Sequence, residues 1–323
     1  LLARFLKRPP VEPVTGPIGS IRRDAKTVVS PMAIVDPHAT VGKGCEIGPF
    51  CTVGPDVTIG PGCRLISHVV ITGRTTIGPD NVFYPHCVIG SEPQDKKYND
   101  EESEVVIGAG NDFREAVTIH RGTTGGGMIT RIGDENWLMV NCHIGHDCTI
   151  GHRCILANNV MVAGHVVIGN NVVMSGGAAS HHYVTIGDYA FVAGLARIHH
   201  DVPPFVKVSD NDKVRAINAE GMRRSGVSDE DQAEIEDAVR KLFFAREKPF
   251  ATVLAEFDAM PELNERVRTL VAFLIRRNSG KHGRYLESLR PKKNAAEEMR
   301  HEGTKDTKQD TNKGTEGNGS GHG

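Results

Sequence analysis

The chain has 323 residues, 39% hydrophobic and 5% aromatic, and its 38 basic and 40 acidic residues leave a formal net charge of -2. That length is ample for an enzyme of one to three domains, and the near-neutral balance gives no electrostatic reason for nucleic acid or an anionic membrane to be its main partner. No apolar run approaches the ~20 residues that span a bilayer.

The first stretch, LLARFLKRPPVEPVTGPIGS, lacks the apolar centre and cleavage site of a signal peptide. A soluble, cytoplasmic protein is expected, or an organellar one if a targeting segment precedes Leu1. Residues 1–28 read as a poorly ordered extension.

From residue 29 a large apolar side chain recurs at every sixth position: Val29, Val35, Val41, Ile47, Val53, Ile59, Leu65, Ile71, Ile77, Phe83 and Ile89. Gly follows it at Gly42, Gly48, Gly54, Gly60, Gly78 and Gly90, and a small or branched residue comes four positions after it, as at Ala39, Cys45, Val57 and Val69. This is the hexapeptide signature of a parallel β-helix, in which each short strand points one aliphatic side chain into a narrow core. The fold expected is mainly β, a left-handed parallel β-helix over residues 29–204 followed by a C-terminal α-helical domain.

The cysteines obey the same spacing. Cys45, Cys51, Cys63 and Cys87 differ by multiples of six, as do Cys142, Cys148 and Cys154. They read as small core residues in a reducing compartment, since the short Cys-x-x-Cys spacings of a metal cluster are missing.

Two insertions interrupt the frame. Residues 91–106, SEPQDKKYNDEESEVV, are polar, yet Ile107, Phe113 and Ile119 resume the phase. RGTTGGGMITR over 121–131 shifts it by one, and the repeat continues from Ile132 through Ile144, Val162 and Ser180 to Ile198. Loops this long on a repeat scaffold often serve binding. The prolines of Asp201-Val-Pro-Pro are expected to stop the coil. Residues 205–290 read as helical, with Ser228 as an N-cap and further helices over 249–259 and 262–277. The polar tail 291–323 reads as disordered.

Eighteen residues per triangular coil, with strands ~4.8 Å apart, would stack Asp147 beneath His165 and Tyr183, and His146 beneath Gly164 and His182. Counting about seven residues for the second loop sets His120 and Arg121 under Gly145 and His146. His120, His146, His165, His181 and His182 then share one edge. A single histidine at such a corner is more often a solvated turn residue, but a cluster points to a site. Imidazole exchanges protons near neutral pH, a carboxylate fixes its tautomer, and a glycine lets a reacting group approach the backbone N–H. His143 could line a groove, whereas His152 and His199 read as structural.

HIGHDCTIG and the downstream VAGHV, with TIHRGT, EPQDKKY, HHYVTIG, DVPPF and NAEGMRR, resemble the UDP-N-acetylglucosamine O-acyltransferases that begin lipid A synthesis. The resemblance covers about residues 29–280. It implies transfer of a 3-hydroxyacyl chain from the phosphopantetheine of acyl carrier protein to the 3-hydroxyl of UDP-N-acetylglucosamine, with no metal and no cofactor of the enzyme's own. By resemblance His146 is the general base, Asp147 orients it, and Gly164 is the oxyanion donor. Asp95 and Lys97 match sugar and donor contacts. His120, His143, His165 and His181 match cleft residues, with His182 beside them. Asn218, Glu220 and Arg224 match nucleotide contacts, and Gly194 a position that limits acyl length. The family is homotrimeric, with its site between subunits.

The chain departs from the family pattern at His182, where many members have Gln, at Ser225, where a second Arg is usual, and at SDNDKV over 209–214. Three other readings compete: the N-acyltransferase of the same pathway, a γ-type carbonic anhydrase with histidine-bound zinc, and a non-catalytic β-helix binding module. The first usually carries a globular domain before its coil, and the second needs a His-x₄-His spacing that HIGH does not supply.

Overall fold

The computed structural model describes residues 26–245 and 247–290. The expectations for residues 1–25 and for the tail 291–323 lie outside the described residues.

The six-residue period folds into short strands, from Val28–Val29 to Arg197–Ile198, that pass in turn through three sheets. Every third strand joins the same sheet in parallel register, Thr52 opposite Val70 and Thr149 opposite Val167, so each coil takes 18 residues. This is a left-handed parallel β-helix. The two loops lengthen one coil each without disturbing the stack. Arg74 pairs with Glu104 and Asp112 with Trp137, so the pairing resumes in register above each insertion.

Both loops are shorter than the sequence suggests. Glu104–Ile107 and Ile129–Ile132 are strands, because Val105, Ile107 and Ile132 are buried and pairing with the neighbouring coils satisfies their backbone. The segments outside the strands are therefore residues 92–103 and 121–128.

Inward positions stack into columns of like residues. Phe83 lies on Phe113 with ring centroids 4.8 Å apart and planes 7° from parallel. All seven cysteines are buried and unbridged. Burial pushes the Cys142 thiol up to about 11 and those of Cys87, Cys148 and Cys154 to about 12, as expected of core residues rather than nucleophiles.

One column is polar. Asn81, Asn111 and Asn136 occupy the small inward position at one corner and are buried. The Asn81 side-chain oxygen accepts from the Asn111 N–H and side-chain amide, both at 2.9 Å. Asn111 in turn accepts from the Asn136 N–H at 2.8 Å, and Asn136 from the Cys154 N–H at 2.8 Å. Each amide thus serves a backbone donor on the next coil that has no ladder partner at the corner.

Pro203 and Pro204 do not end the sheet, contrary to the sequence reading. Val202 bridges Ile186 beforehand, and Val206–Ser209 then pairs with Phe191–Val192. Lys213–Ile217 adds an antiparallel strand, so residues 206–217 are a hairpin rather than part of a helical domain. Their two-residue alternation, VKVS and KVRAI, is the physical reason. Helices follow at Ala219–Arg224, Asp229–Val239, which runs on as a π-turn over Arg240–Phe244, Phe250–Asp258, Glu265–Ser279 and Tyr285–Ser288. Ser228 caps the second, accepting from the Asp231 N–H. Arg266 ties the long helix to the last coils, with its guanidinium 5.8 Å from the Tyr189 ring centre, and to the Asp229–Val239 helix, with Nε 3.0 Å from Asp231. No described helix is long and apolar enough to cross a membrane.

Asn111→Ala removes the only side-chain acceptor of the Asn136 N–H in this column and should lower stability by about 1–3 kcal/mol. Thermal unfolding of the variant against wild type measures it.

Candidate active site

At the corner after His143–Ile144 the chain turns through Asp147, whose φ of 60° is left-handed. His165 and Tyr183 take the same conformation in the next two coils, with φ of 62° and 63°. Equal backbone geometry aims their side chains alike. The rings of His165 and Tyr183 stack at 4.3 Å and 6°, and His165 Nδ1 stands 3.8 Å from Asp147 Oδ2.

His146 Nδ1 is 2.7 Å from Asp147 Oδ2, and the Asp147 side chain is wholly shielded from solvent. An ionised carboxylate only accepts, so Nδ1 carries a proton, and in the neutral ring Nε2 keeps its lone pair. Nε2 faces Gly164 one coil above: a Cβ there would lie 2.6 Å from it. Only glycine leaves that space open. Among the described residues no acceptor takes the Gly164 N–H.

The second loop, expected to project for binding, folds back over Asp147. The Thr123 N–H donates to Oδ1 at 2.8 Å and the Thr123 hydroxyl to Oδ2 at 2.6 Å, while the Asp147 N–H donates to the Thr130 hydroxyl at 2.8 Å. Gly122 and Gly126 allow this contact, because a Cβ on Gly126 would come within 2.0 Å of Asp147 Cγ. Thr123 and Thr130 escaped sequence reading. The run TTGGG, whose backbone can approach a neighbour closely, was the available signal.

His120 and His143 take neutral partners. His120 Nδ1 lies 2.5 Å from the Glu92 carbonyl and His143 Nδ1 2.9 Å from the Thr118 hydroxyl. The His120 and His143 rings meet edge to face at 5.2 Å, those of His146 and His165 at 4.9 Å, and those of His181 and His182 at 5.6 Å. Desolvation, with the neighbouring histidines His120 and His146 adding to it, lowers His143 to about 4. Desolvation likewise lowers His120, and it lowers His182 at the coil edge together with His181 and His146. His152 and His199 pair with Asp134 and Asp212, as suits structural roles.

Beside this edge lies a groove of about 430 Å³, whose walls include Thr118, His143, Met161, Ala179 and Ser180. On the coil above, a Cβ on Gly194 would meet nothing nearer than the Gly176 carbonyl at 3.4 Å, so the backbone does not require glycine there.

The structure does not bring every expected residue together. Asp95 and Lys97 sit in a turn of the first loop, Asp95 Oδ1 accepting from the Lys97 N–H at 3.0 Å. Asn218 is buried and bonded within the fold, its amide donating to the Tyr189 carbonyl at 2.9 Å and its oxygen capping the helix that follows. Glu220 pairs with Arg223 and Arg224. Among the described residues no hydrogen bond or ion pair joins this helix to the histidine edge. Ser225 returns its hydroxyl to the Gly221 carbonyl, and Asp212 of the divergent turn accepts the N–H groups of His199 and His200.

A hexapeptide coil carrying a carboxylate-held imidazole beneath a bare glycine suits an acyltransferase of the hexapeptide-repeat class. The family model described as bacterial transferase hexapeptide (six repeats) matches residues 129–164, and the GMPPB C-terminal domain model matches 29–124. The model described as UDP N-acetylglucosamine O-acyltransferase, domain 2, matches 201–283. The acyl-(acyl-carrier-protein)–UDP-N-acetylglucosamine O-acyltransferase of Xanthomonas euvesicatoria pv. vesicatoria is 44% identical over 254 residues, covering 78% of this chain and 96% of that protein. The solved UDP-N-acetylglucosamine O-acyltransferase of Moraxella catarrhalis is 42% identical with a TM-score of 0.72, over 76% of this chain and 95% of its own. The Arabidopsis UDP-N-acetylglucosamine acyltransferase is 33% identical with a TM-score of 0.68, over 77% and 96%. The chain belongs to the acyl-(acyl-carrier-protein)–UDP-N-acetylglucosamine O-acyltransferase family.

Because the folded-state value of His143 lies below its unfolded value near 6.5, the unfolded chain binds more protons between about pH 4 and pH 6.5. Stability should therefore rise with pH across that window, and the slope should flatten in His143→Asn. Denaturant unfolding at several pH values checks both.

Proposed function

We propose that the chain transfers a (3R)-3-hydroxyacyl group from the phosphopantetheine thioester of acyl carrier protein to the 3-hydroxyl of UDP-N-acetylglucosamine, the opening step of lipid A synthesis. The observation that carries the reading is the His146 imidazole, its Nδ1 bonded to shielded Asp147 and its Nε2 open toward Gly164. His146 Nε2 takes the proton of the sugar hydroxyl as its oxygen attacks the thioester carbon. The tetrahedral oxyanion is held by the Gly164 N–H. Its collapse breaks the C–S bond, and the departing sulfur takes the proton back from His146. A positioned base contributes roughly 10²- to 10⁴-fold and an oxyanion donor about 3–4 kcal/mol.

A thioester is already an activated acyl group, so the reaction needs neither metal nor cofactor. His146, Asp147 and His165 do present ligand atoms within 4.8 Å of one another. However, Asp147 Oδ2 already bonds the Thr123 hydroxyl and His146 Nδ1, and Oδ1 bonds the Thr123 N–H, so a cation would displace the contacts that orient the base.

In this reading His120, His143, His165, His181 and His182 line the cleft, Asp95 and Lys97 contact substrate from the first loop, and Asn218, Glu220 and Arg224 serve the nucleotide. The last three lie apart from the histidines within one chain, which supports a homotrimer whose site is completed by a neighbouring subunit. Trp137, Ile155, Val173 and Phe191 form an outward apolar row on one sheet, as such an interface requires. These substrates support a cytoplasmic location, with an organelle the alternative.

His146→Ala should lower turnover at least about 100-fold while leaving thermal unfolding near wild type, and wild-type-like turnover would remove the base. Gly194→Met, which fills space without striking backbone, should shorten the preferred acyl chain. Mass spectrometry of product formed from UDP-N-acetylglucosamine and a panel of acyl carrier protein thioesters reads out both variants, and no product from the wild type with any thioester would overturn the assignment.

A further inference from the structure

Arg121 stands one level below His146 in the corner column, since Ile119 pairs with Ile144. Its side chain runs away from that level, down the corner that the first loop vacates when it leaves the coil after Ser91. Two coils below, Gly73 holds left-handed backbone, and a Cβ on it would come within 2.4 Å of Arg121 Nη1 and 2.8 Å of Cδ. The channel for the arginine therefore exists only because residue 73 is glycine.

At its end Nη2 donates to the Tyr98 hydroxyl at 2.8 Å, with the guanidinium carbon 5.9 Å from the ring centre. The Tyr98 hydroxyl donates onward to the Glu101 carbonyl at 3.2 Å, and the Tyr98 N–H donates to the Asp95 carbonyl at 3.0 Å. Arg121 Nε is buried with no hydrogen-bond partner among the described residues. Burying an unpaired guanidinium nitrogen costs stability, so an aliphatic filler would serve packing better. What the arginine adds is its reach to Tyr98. The first loop is tied at its start by His120 to the Glu92 carbonyl and at its end by Thr124 to Glu101. The Arg121–Tyr98 bond is the tie in its middle, beside the turn that bears Asp95 and Lys97.

We propose that Arg121 and Tyr98 are positioning residues for substrate binding, holding the Asp95–Lys97 turn at a fixed height over the cleft. The proposal rests on the acyl transfer proposed above. Neither residue touches the reacting atoms in this scheme. Their loss acts on KM rather than kcat.

The test compares full-length wild type with Tyr98→Phe, which keeps the ring and removes the hydroxyl, with Arg121→Lys, which keeps the charge and loses the fork, and with Asp95→Asn. Steady-state kinetics should show KM for UDP-N-acetylglucosamine rising about tenfold in Tyr98→Phe and Arg121→Lys, with kcat within about twofold, as expected for one lost charge-assisted hydrogen bond. Hydrogen exchange should show faster opening of residues 95–101 in both, with the coil unchanged. A lower melting temperature with unaltered KM would make the pair merely structural and overturn the proposal. So would unchanged exchange at 95–101, whether or not the chain proves to transfer acyl groups. If Asp95→Asn raises KM and Tyr98→Phe does not, the turn binds substrate without this tie, and the inference alone fails. A wild type that turns over no thioester sinks the transfer reading itself.

Discussion

The parallel backbone hydrogen bonds that seat each coil on the one beneath, 18 residues apart, are the constraint on which the rest of the structure depends. They turn sequence distance into height. Once the register is set, the residue above His146 must be 164, and the pairing of side chains across levels follows without further choice. A one-residue slip would move the core-facing set outward along the whole stack. The insertions at 92–103 and 121–128 are tolerated because they leave and rejoin at corners, where no ladder bond is interrupted.

Within that frame, chemistry is separated from scaffold by the partner each imidazole receives. His146 is given a carboxylate shielded from water, whereas His120 and His143 are given a carbonyl and a hydroxyl. Burial without a countercharge lowers the latter two from the ordinary imidazole value, His143 to about 4. In the proposed reading, these lowered histidines line the cleft with less positive charge beside His146 than free imidazoles would bring.

The coil and the His146–Gly164 juxtaposition were legible in the sequence because both depend on periodicity alone. Six-residue spacing located the inward positions, and eighteen-residue arithmetic across a seven-residue insertion placed His120 below Gly145. What periodicity cannot carry was not legible. Asn81, Asn111 and Asn136 break the apolar rule, and their ladder is visible only once corners are known to leave backbone donors unpaired. The hairpin over 206–217 was hidden behind two prolines that read as a stop. The bond from the Asn218 amide to the Tyr189 carbonyl is a tertiary contact that no local pattern announces. The seating of the second loop on Asp147 depends on a contact between glycines and a carboxylate from different coils, which no local pattern encodes.

That seating has a consequence for proton traffic. With Thr123 on both carboxylate oxygens and Gly122 and Gly126 pressed against the group, the Asp147 acceptor that His146 Nδ1 faces is wholly shielded from solvent. In the proposed reaction the Nδ1 hydrogen stays on that shielded bond, and Nε2, turned toward Gly164, is the nitrogen that accepts and returns the proton, so the tautomer is reset after each turnover without rearrangement of the ring.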